Sequence, residues 1–522
     1  MLRYIKTIGF LIIPITLAAQ GPADALRYSQ NINSGTARFV SMGGAFGALG
    51  SDFTSLSYNP AGLGVYRTSE FTFTPSFYSR NDESKYNGSL ANSSRTRFGF
   101  DNLGFVASFQ TAKPDESGLV SINMGLGYNK LADFHNESMA RGVAGYSTSI
   151  MNYFAAAASP NENNQYYGYD WLDLTPGTNY SPYSYLGTNA WESILAWNSF
   201  LIDTANNYYT YWPMLYSDEG VNQQHTLKTL GSMGEYVISL AANISHKFYF
   251  GATVGIQSVY YKQITNHSEV GFDSNGPISI GGRNYIVKSL NYKQTYEVDG
   301  SGYNFKIGGI YRPIPQLRIG VAAHTPTYFN LNEKYIANMQ SSLSIDGVLN
   351  SENHSTPTNN IDYSIESPFK FIGSLAYTIG EVAILSADYE LIDYSLMKLS
   401  NDEDDFTSQN EKIKSSYRQS QNIKLGGEVW LGKVALRGGY ALYGSPYVST
   451  DLNAKASITA LSGGLGYRAG NMFIDFAYQH YTFKDKYYMY KFVDEVTRNS
   501  IVPEVIRTNT QGKFFMTVGF KF

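Results

Sequence analysis

The stretch "FYFGATVGIQSVYYK", Phe248 to Lys262, repeats with a period of two. Phe250, Ala252, Val254, Ile256 and Tyr260 fall on one side, while Gly251, Thr253, Gly255 and Gln257 fall on the other. One face is apolar and the other is small and polar, the pattern of a strand with two different solvents. The same period recurs in "EYVISLAANIS", where Tyr236, Ile238, Leu240, Ala242 and Ile244 oppose Ser239, Asn243 and Ser245. In "EVAILSADYELIDY" the residues Ala383, Leu385, Ala387, Tyr389 and Leu391 oppose Ser386, Asp388 and Glu390. Carboxylates on an inner face are costly in a dry sandwich but ordinary where that face lines a polar lumen. This weighs against a soluble secreted β protein and for a transmembrane β-barrel.

Composition agrees. The 522 residues include 44 Tyr, 30 Phe and 49 Gly, and the aromatic share of 15% suits the two interfacial girdles of such a barrel. A mean hydropathy of -0.26 excludes a bundle of membrane helices. There is no cysteine, hence no disulfide framework, zinc-thiolate site or catalytic thiol. A net charge of -4 argues against a nucleic-acid partner.

Fourteen candidate strands follow, near residues 69–79, 97–110, 118–131, 234–246, 248–263, 293–312, 316–336, 361–378, 381–398, 416–431, 433–445, 456–468, 471–491 and 511–522. The number is even, as single-chain bacterial barrels require. The last strand, "QGKFFMTVGFKF", sets Phe514, Met516, Val518, Phe520 and Phe522 against Lys513, Thr517 and Lys521, and its terminal aromatic is similar to the closing strand of Gram-negative outer-membrane barrels. Short turns such as "SHKF" (Ser245–Phe248) and "IGE" (Ile379–Glu381) would face the periplasm, opposite the longer loops.

Residues 1–19 carry Arg3 and Lys6, an apolar run from Ile8 to Ala18 and then small residues, the layout of a secretory signal peptide. Between the third and fourth strands, about 135–233, lies a large extracellular loop. Within it Trp191, Ile194, Leu195, Asn198 and Leu201 have helical spacing, fitting either a surface or ligand-capturing helix or one that packs the loop onto the rim. The acidic run Asp402-Glu403-Asp404-Asp405 lacks the spacing of a calcium loop and reads as a solvated tip. None of the seven histidines sits in an HExxH or G-x-S-x-G context; we expect no enzyme, no metal and no cofactor.

Residues 20–67 do not alternate. Phe39, Met42, Phe46, Leu49, Phe53, Leu56 and Tyr58 recur at mixed three- and four-residue spacing, which suggests short helices, and Gly43, Gly44, Gly47 and Gly50 allow tight turns. Pro60 stops such a helix and Gly62 permits the next bend. Too small for a core of its own, the segment is expected to plug the lumen. It resembles the hatch of the FadL/TodX family of outer-membrane transporters for long-chain fatty acids and other hydrophobic compounds. The residues that carry the resemblance are "SGTARFVSMGGAFGALGSDFTSLSYNPAGL", "SINMGLGYN" in the third strand and "SGGLGYRAGNMFIDFAY" near the C-terminus.

The resemblance implies a fourteen-stranded antiparallel barrel (68–522) with an N-terminal hatch, an apolar pocket touching that hatch, and a lateral opening where the third strand kinks. Carried over, Asn59, Pro60, Ala61 and Gly62 form the hatch turn that meets the kink. Gly125 or Gly127 would let the strand bend, or would simply pack the wall. Phe39, Met42, Phe46 and Leu49 are the hatch contacts for substrate. The implied partners are fatty acids, aromatic hydrocarbons or haem, together with outer-membrane lipid, for a monomer in the outer membrane of a Gram-negative bacterium. The competing reading is a haem-binding or adhesive surface barrel whose hatch is only a plug. For fatty acids a basic residue at the pocket mouth is expected, with Arg27, Arg38, Arg318 and Lys370 as candidates.

Overall fold

The two-residue period closes on itself. In the computed structural model fourteen antiparallel strands form one barrel, sealed by pairing of the first strand with the last. The structure describes residues 21–32, 34–111, 118–159, 172–173, 181–204, 210–215, 220–271, 277–401, 405–490, 492 and 500–522. The expected signal peptide and residues 402–404 of the acidic run lie outside them.

In chain order the strands are β1 (Glu70–Tyr86), β2 (Ser89–Gln110), β3 (Leu119–Asp133, continued by Asn136–Ala144), β4 (Val221–Ile244), β5 (Phe248–Val270), β6 (Arg283–Ile314) and β7 (Leu317–His324, continued by Tyr328–Ile345). There follow β8 (Asn359–Glu366, continued by Lys370–Ile379), β9 (Ala383–Asp393), β10 (Gln419–Leu431), β11 (Val434–Tyr443), β12 (Ile458–Ala469), β13 (Met472–Tyr488) and β14 (Glu504–Lys521). Each expected strand lies on one of these. Several run far past the roughly 9–11 residues that cross a bilayer: β4 has 24 residues and β6 has 32. The excess rises above the membrane, so the loop expected at 135–233 shrinks to 145–220.

The alternation sorts side chains as the sequence requires. On β5, Phe250 is 54% exposed while Thr253 is 1% exposed; Asp388 and Glu390 on β9 point inward and are buried, whereas Leu385 and Tyr389 face out. At the outer interface Phe73, Phe100, Tyr128 and Tyr236 form a row across β1 to β4, with centroids 5.3–5.6 Å apart. The turn between β4 and β5 is tight, with Ser245 and His246 both left-handed (φ 54° and 53°).

Two bodies fill the interior. The hatch, residues 21–66, contains α1 (Pro22–Ser29), α2 (Ala37–Ser41) and two 3-10 turns, Phe53–Ser57 and Pro60–Val65. A cap formed by the described residues of 145–220 contains α3 (Ile150–Ala158), α4 (Pro182–Tyr185) and α5 (Trp191–Asn198) and sits in the extracellular mouth.

Candidate functional site: the hatch, the chamber above it and the β2–β3 seam

The hatch is built from caps. Thr36 accepts the Phe39 amide at the start of α2 (3.2 Å), and Asp52 accepts the Thr54 amide (2.9 Å) and the Thr36 hydroxyl. Asn59 accepts the Ala61 amide (3.0 Å), with Pro60 opening the next turn. Glycine is needed at Gly43 (φ 64°), where the backbone turns against the wall, and at Gly50 (φ 63°).

Contact with the wall is backbone to backbone. A Cβ at Gly439 of β11 would lie 2.1 Å from the Gly43 nitrogen, and one at Gly426 of β10 would lie 2.4 Å from the Met42 oxygen. The inward polar residues tie down what remains. Arg38 pairs with Glu428 (2.9 Å), Asp388 accepts the Gly47 amide (2.9 Å), Thr517 accepts the Ala37 amide (2.7 Å), and His324 bonds the Tyr58 carbonyl (2.7 Å). Arg437, fully buried behind Glu428, bridges it to Asp475.

The Asn59–Gly62 turn itself packs two to four strands along the wall from the expected third strand. The Asn59 amide donates to the carbonyls of Gly47 (2.6 Å), Val321 (3.3 Å) and Gly309 (3.4 Å), and Pro60 abuts Gly251. The turn thus meets β5, β6 and β7. The segments flanking it meet β3: Leu56 and Leu63 lie under Gly125, and Phe53 under Gly127, where any Cβ would clash (2.4 Å to Leu56, 2.5 Å to Phe53). Both glycines continue the ladders to β2 and β4 without interruption, and the two register shifts on β3 lie on either side of them, at Leu119–Ser121 and Lys130–Ala132. Phe39, Met42, Phe46 and Leu49 are all buried against Ala376, Ala477 and Phe515 of the wall, with the Phe39 ring 5.3 Å from Phe46 and 5.0 Å from Tyr58.

Within the hatch, between α1 and Tyr58 on one side and the wall on the other, lies a small chamber of about 50 Å³ lined by Tyr28, Tyr58, Glu235, Lys306, His324 and Lys370. It is polar. Lys306 pairs with Glu235, and Lys370 and Lys424 flank Glu390 at 3.8 and 3.5 Å. Of the four basic candidates only Lys370 lines this chamber; Arg27 pairs with Asp24, Arg38 with Glu428, and Arg318 donates to the Leu49 carbonyl. Lys306, Glu235 and His324 were not singled out beforehand. The period of two would have placed Lys306 inward, in step with Asn304, since both alternate with the lipid-facing Phe305.

The β2–β3 seam differs from the other seams. Its ladder runs from Gln110↔Ser121 to Asn102↔Asn129, and beyond that, among the described residues, no backbone pairing joins the two strands. The upper part of β2 pairs only with β1, and the continuation of β3 only with β4. Side chains bridge the gap: Asn87 donates to the Val143 carbonyl (3.0 Å), Ser93 to the Glu137 carbonyl, and Arg97 meets His135 and Asp133.

The cap packs as one apolar cluster with the inner faces of β1, β3, β6 and β7. Trp191, Ile194, Leu195 and Leu201 are buried in it. Two carboxylates anchor it. Glu269 of β5 accepts the Ile150 amide at the start of α3 (2.8 Å), and Glu192 of α5 accepts the hydroxyls of Tyr292 on β6 (2.7 Å) and Tyr153 (2.5 Å). Burial raises the Glu192 pKa above the usual carboxylate value, against the lowering effect of the two phenols.

No protein-family model matches the sequence. No curated protein matches it either. Among solved structures the chain is similar to a Pseudomonas aeruginosa FadL homologue, with 12% identity, a TM-score of 0.51, and coverage of 94% of this chain and 99% of that one. It is equally similar to the Pseudomonas putida toluene transporter TodX, with 12% identity, a TM-score of 0.50, and coverage of 95% and 100%. The chain therefore shares the fold of the FadL homologue and TodX, a fourteen-stranded transmembrane β-barrel with an N-terminal helical hatch in its lumen.

Proposed function

We propose that this chain is a non-enzymatic, passive transporter of the FadL/TodX type in the outer membrane of a Gram-negative bacterium. It takes up hydrophobic compounds, and its cargo leaves sideways through the β2–β3 seam. The observation that carries the reading is that seam: in a barrel whose lumen is filled by a hatch, the ladder of this joint stops at Asn102↔Asn129, beside the outer aromatic row, and above that point, among the described residues, only side chains hold it. The physical argument is solvation. A long acyl chain crossing an aqueous pore exposes each CH₂ at about 0.8 kcal/mol, whereas a side exit delivers it to the bilayer directly. Lys370, held only by a long 3.8 Å ion pair to Glu390, is the cation of the polar chamber that a carboxylate head could engage, which favours a long-chain fatty acid over a neutral hydrocarbon. In this reading the Asn59–Gly62 turn holds the hatch, and Gly125 and Gly127 let its apolar flanks lie flat against β3. Phe39, Met42, Phe46 and Leu49 meet cargo only when the hatch shifts.

Because the chain has no cysteine, a Ser93→Cys/Glu137→Cys pair can lock the seam without side reactions. In a transporter-deficient host we expect oxidation of this pair to abolish fatty-acid uptake and reduction to restore it. A matched pair on the fully laddered β10–β11 joint should have no effect. Full uptake with the seam locked would reject the side exit. Absence of uptake in the unlocked protein, together with ligand binding at the outer loops, would favour the haem-binding or adhesive reading.

A further inference from the structure

A second cavity lies at the opposite end of the hatch, where the short turns face the periplasm. It occupies about 260 Å³ between the underside of the hatch and the wall. Four carboxylates line it, and each is engaged: Glu428 by Arg38 and Arg437, Asp475 by Arg437 and Arg468, Asp52 by Thr36 and the Thr54 amide, and Glu70 by the Tyr66 hydroxyl and Lys521. Arg318, which also lines it, is different. Its Nη1 donates to the Leu49 carbonyl (2.6 Å), its buried Nε has no hydrogen-bond partner, and no carboxylate lies in ion-pair range of it among the described residues. Leu49, Ile384, Trp430 and Phe473 give one side of the cavity an apolar and aromatic surface, opposite Ser51, Thr72 and Thr517, with the Arg468 guanidinium 5.2 Å from the Trp430 ring and 4.5 Å from that of Phe473.

An uncommitted guanidinium beside an apolar surface matches one chemistry, a carboxylate carried on an apolar body, because the planar fork donates to two carboxylate oxygens and the surface covers the rest. The volume lies just below the roughly 300–1,000 Å³ of sites for drug-sized ligands, so the body is small. We propose that this cavity is a periplasm-facing binding site for a small organic carboxylate, a short acyl or aryl acid, with Arg318 as its anchor. The site lies below the hatch, apart from the chamber and the seam, and does not depend on the uptake reading.

Trp430 supplies the probe. The other four tryptophans, Trp171, Trp191, Trp197 and Trp212, all fall between residues 145 and 220 of the sequence. Purified full-length protein in detergent is titrated with hexanoate, with hexanol as the neutral counterpart and with micellar palmitate as the long-chain arm. We expect a saturable change in tryptophan emission with hexanoate that disappears in Trp430→Phe. In Arg318→Gln it should weaken by about tenfold, the loss of one charge-assisted contact. Arg318→Lys, which keeps the charge but not the fork, should fall between wild type and Arg318→Gln. Ile384→Phe, which narrows the cavity without touching the charge, should abolish it and stands in if Arg318→Gln does not fold. Saturation by palmitate but not by hexanoate would overturn the assignment to a small acid. Equal responses to hexanol and hexanoate, an unchanged response in Arg318→Gln, or displacement by chloride at the same concentration would each overturn the carboxylate site.

Discussion

The hatch and the cap both fill this barrel, but they are held in unlike ways. Besides apolar contacts with Ala376, Ala477 and Phe515, the hatch meets the wall through glycine backbones and polar side chains on the inner faces of strands: Gly439 on Gly43, Glu428 on Arg38, Asp388 on the Gly47 amide. The cap meets the strand tops through an apolar core with a few polar anchors, Glu192 and Glu269 among them. The first joint depends on register, since each partner must arrive at one position. The second depends mainly on buried area, which tolerates exchange of like for like.

The largest test of this contrast is Arg437. It is fully buried and bridges Glu428 to Asp475, so Arg437→Met leaves two carboxylates short of a partner beneath the hatch. Removing one member of such a pair costs about 3–5 kcal/mol. We expect that loss to reach the whole barrel, read as a lowered midpoint in urea unfolding followed by the heat-modifiable gel shift. A midpoint within error of wild type would mean that the hatch is held by shape alone.

Leu195→Ala should remove about 2–5 kcal/mol, the ordinary cost of truncating a fully buried leucine, but from the cap only. Leu195 is 0% exposed within the cluster that joins α5 to the strand tops. Hydrogen exchange should therefore quicken across 150–158 and 191–198 while the hatch and barrel stay protected. Equal loosening of the hatch would show that the two fillings fold as one unit. Asn59→Ala comes next. It removes the cap of one turn and donors to carbonyls of the hatch and two strands, so we expect about 1–2 kcal/mol, confined to exchange in 47–66.

The same contrast explains what the sequence disclosed. The strands were legible because lipid imposes a strict period: Phe250, Val254 and Ile256 can only face out. The hatch was legible from its glycines and from Asn59-Pro60. Above the membrane the period no longer carries the same contrast, because a strand top that faces an apolar cap on one side and water on the other does not alternate as lipid against lumen does. Val287 and Leu290 on β6 are both buried under the cap, because the register shifts between Val287 and Ser289, and a bulge of this kind breaks the period of two. Strand ends were therefore set too low, and the loop was set too long. The packing direction of the Asn59 turn was not legible either. A turn closed by its own side chain fits against any small-residue wall, and Gly251 and Gly308 offer one as readily as Gly125 does.

The smallest expected effect concerns the polar anchor of the cap. Glu192 accepts two phenolic hydroxyls with no cation in its set, and burial raises its pKa above that of the unfolded chain. A raised folded-state value means that the folded form holds its proton more tightly than the unfolded form does. The resulting stabilisation is complete below the unfolded carboxylate range and is lost as the pH rises through the folded value. Mild acid should therefore tighten this end of the cap, slowing exchange in 191–198 between pH 7 and pH 5 after correction for the intrinsic rate. Glu192→Gln should flatten that dependence, because the side chain no longer titrates, while its amide oxygen still accepts from one phenol and its NH₂ can donate to the oxygen of the other. Tightening that survives in Glu192→Gln would move the pH response to another group and leave the apolar cluster as the main fastening at this end.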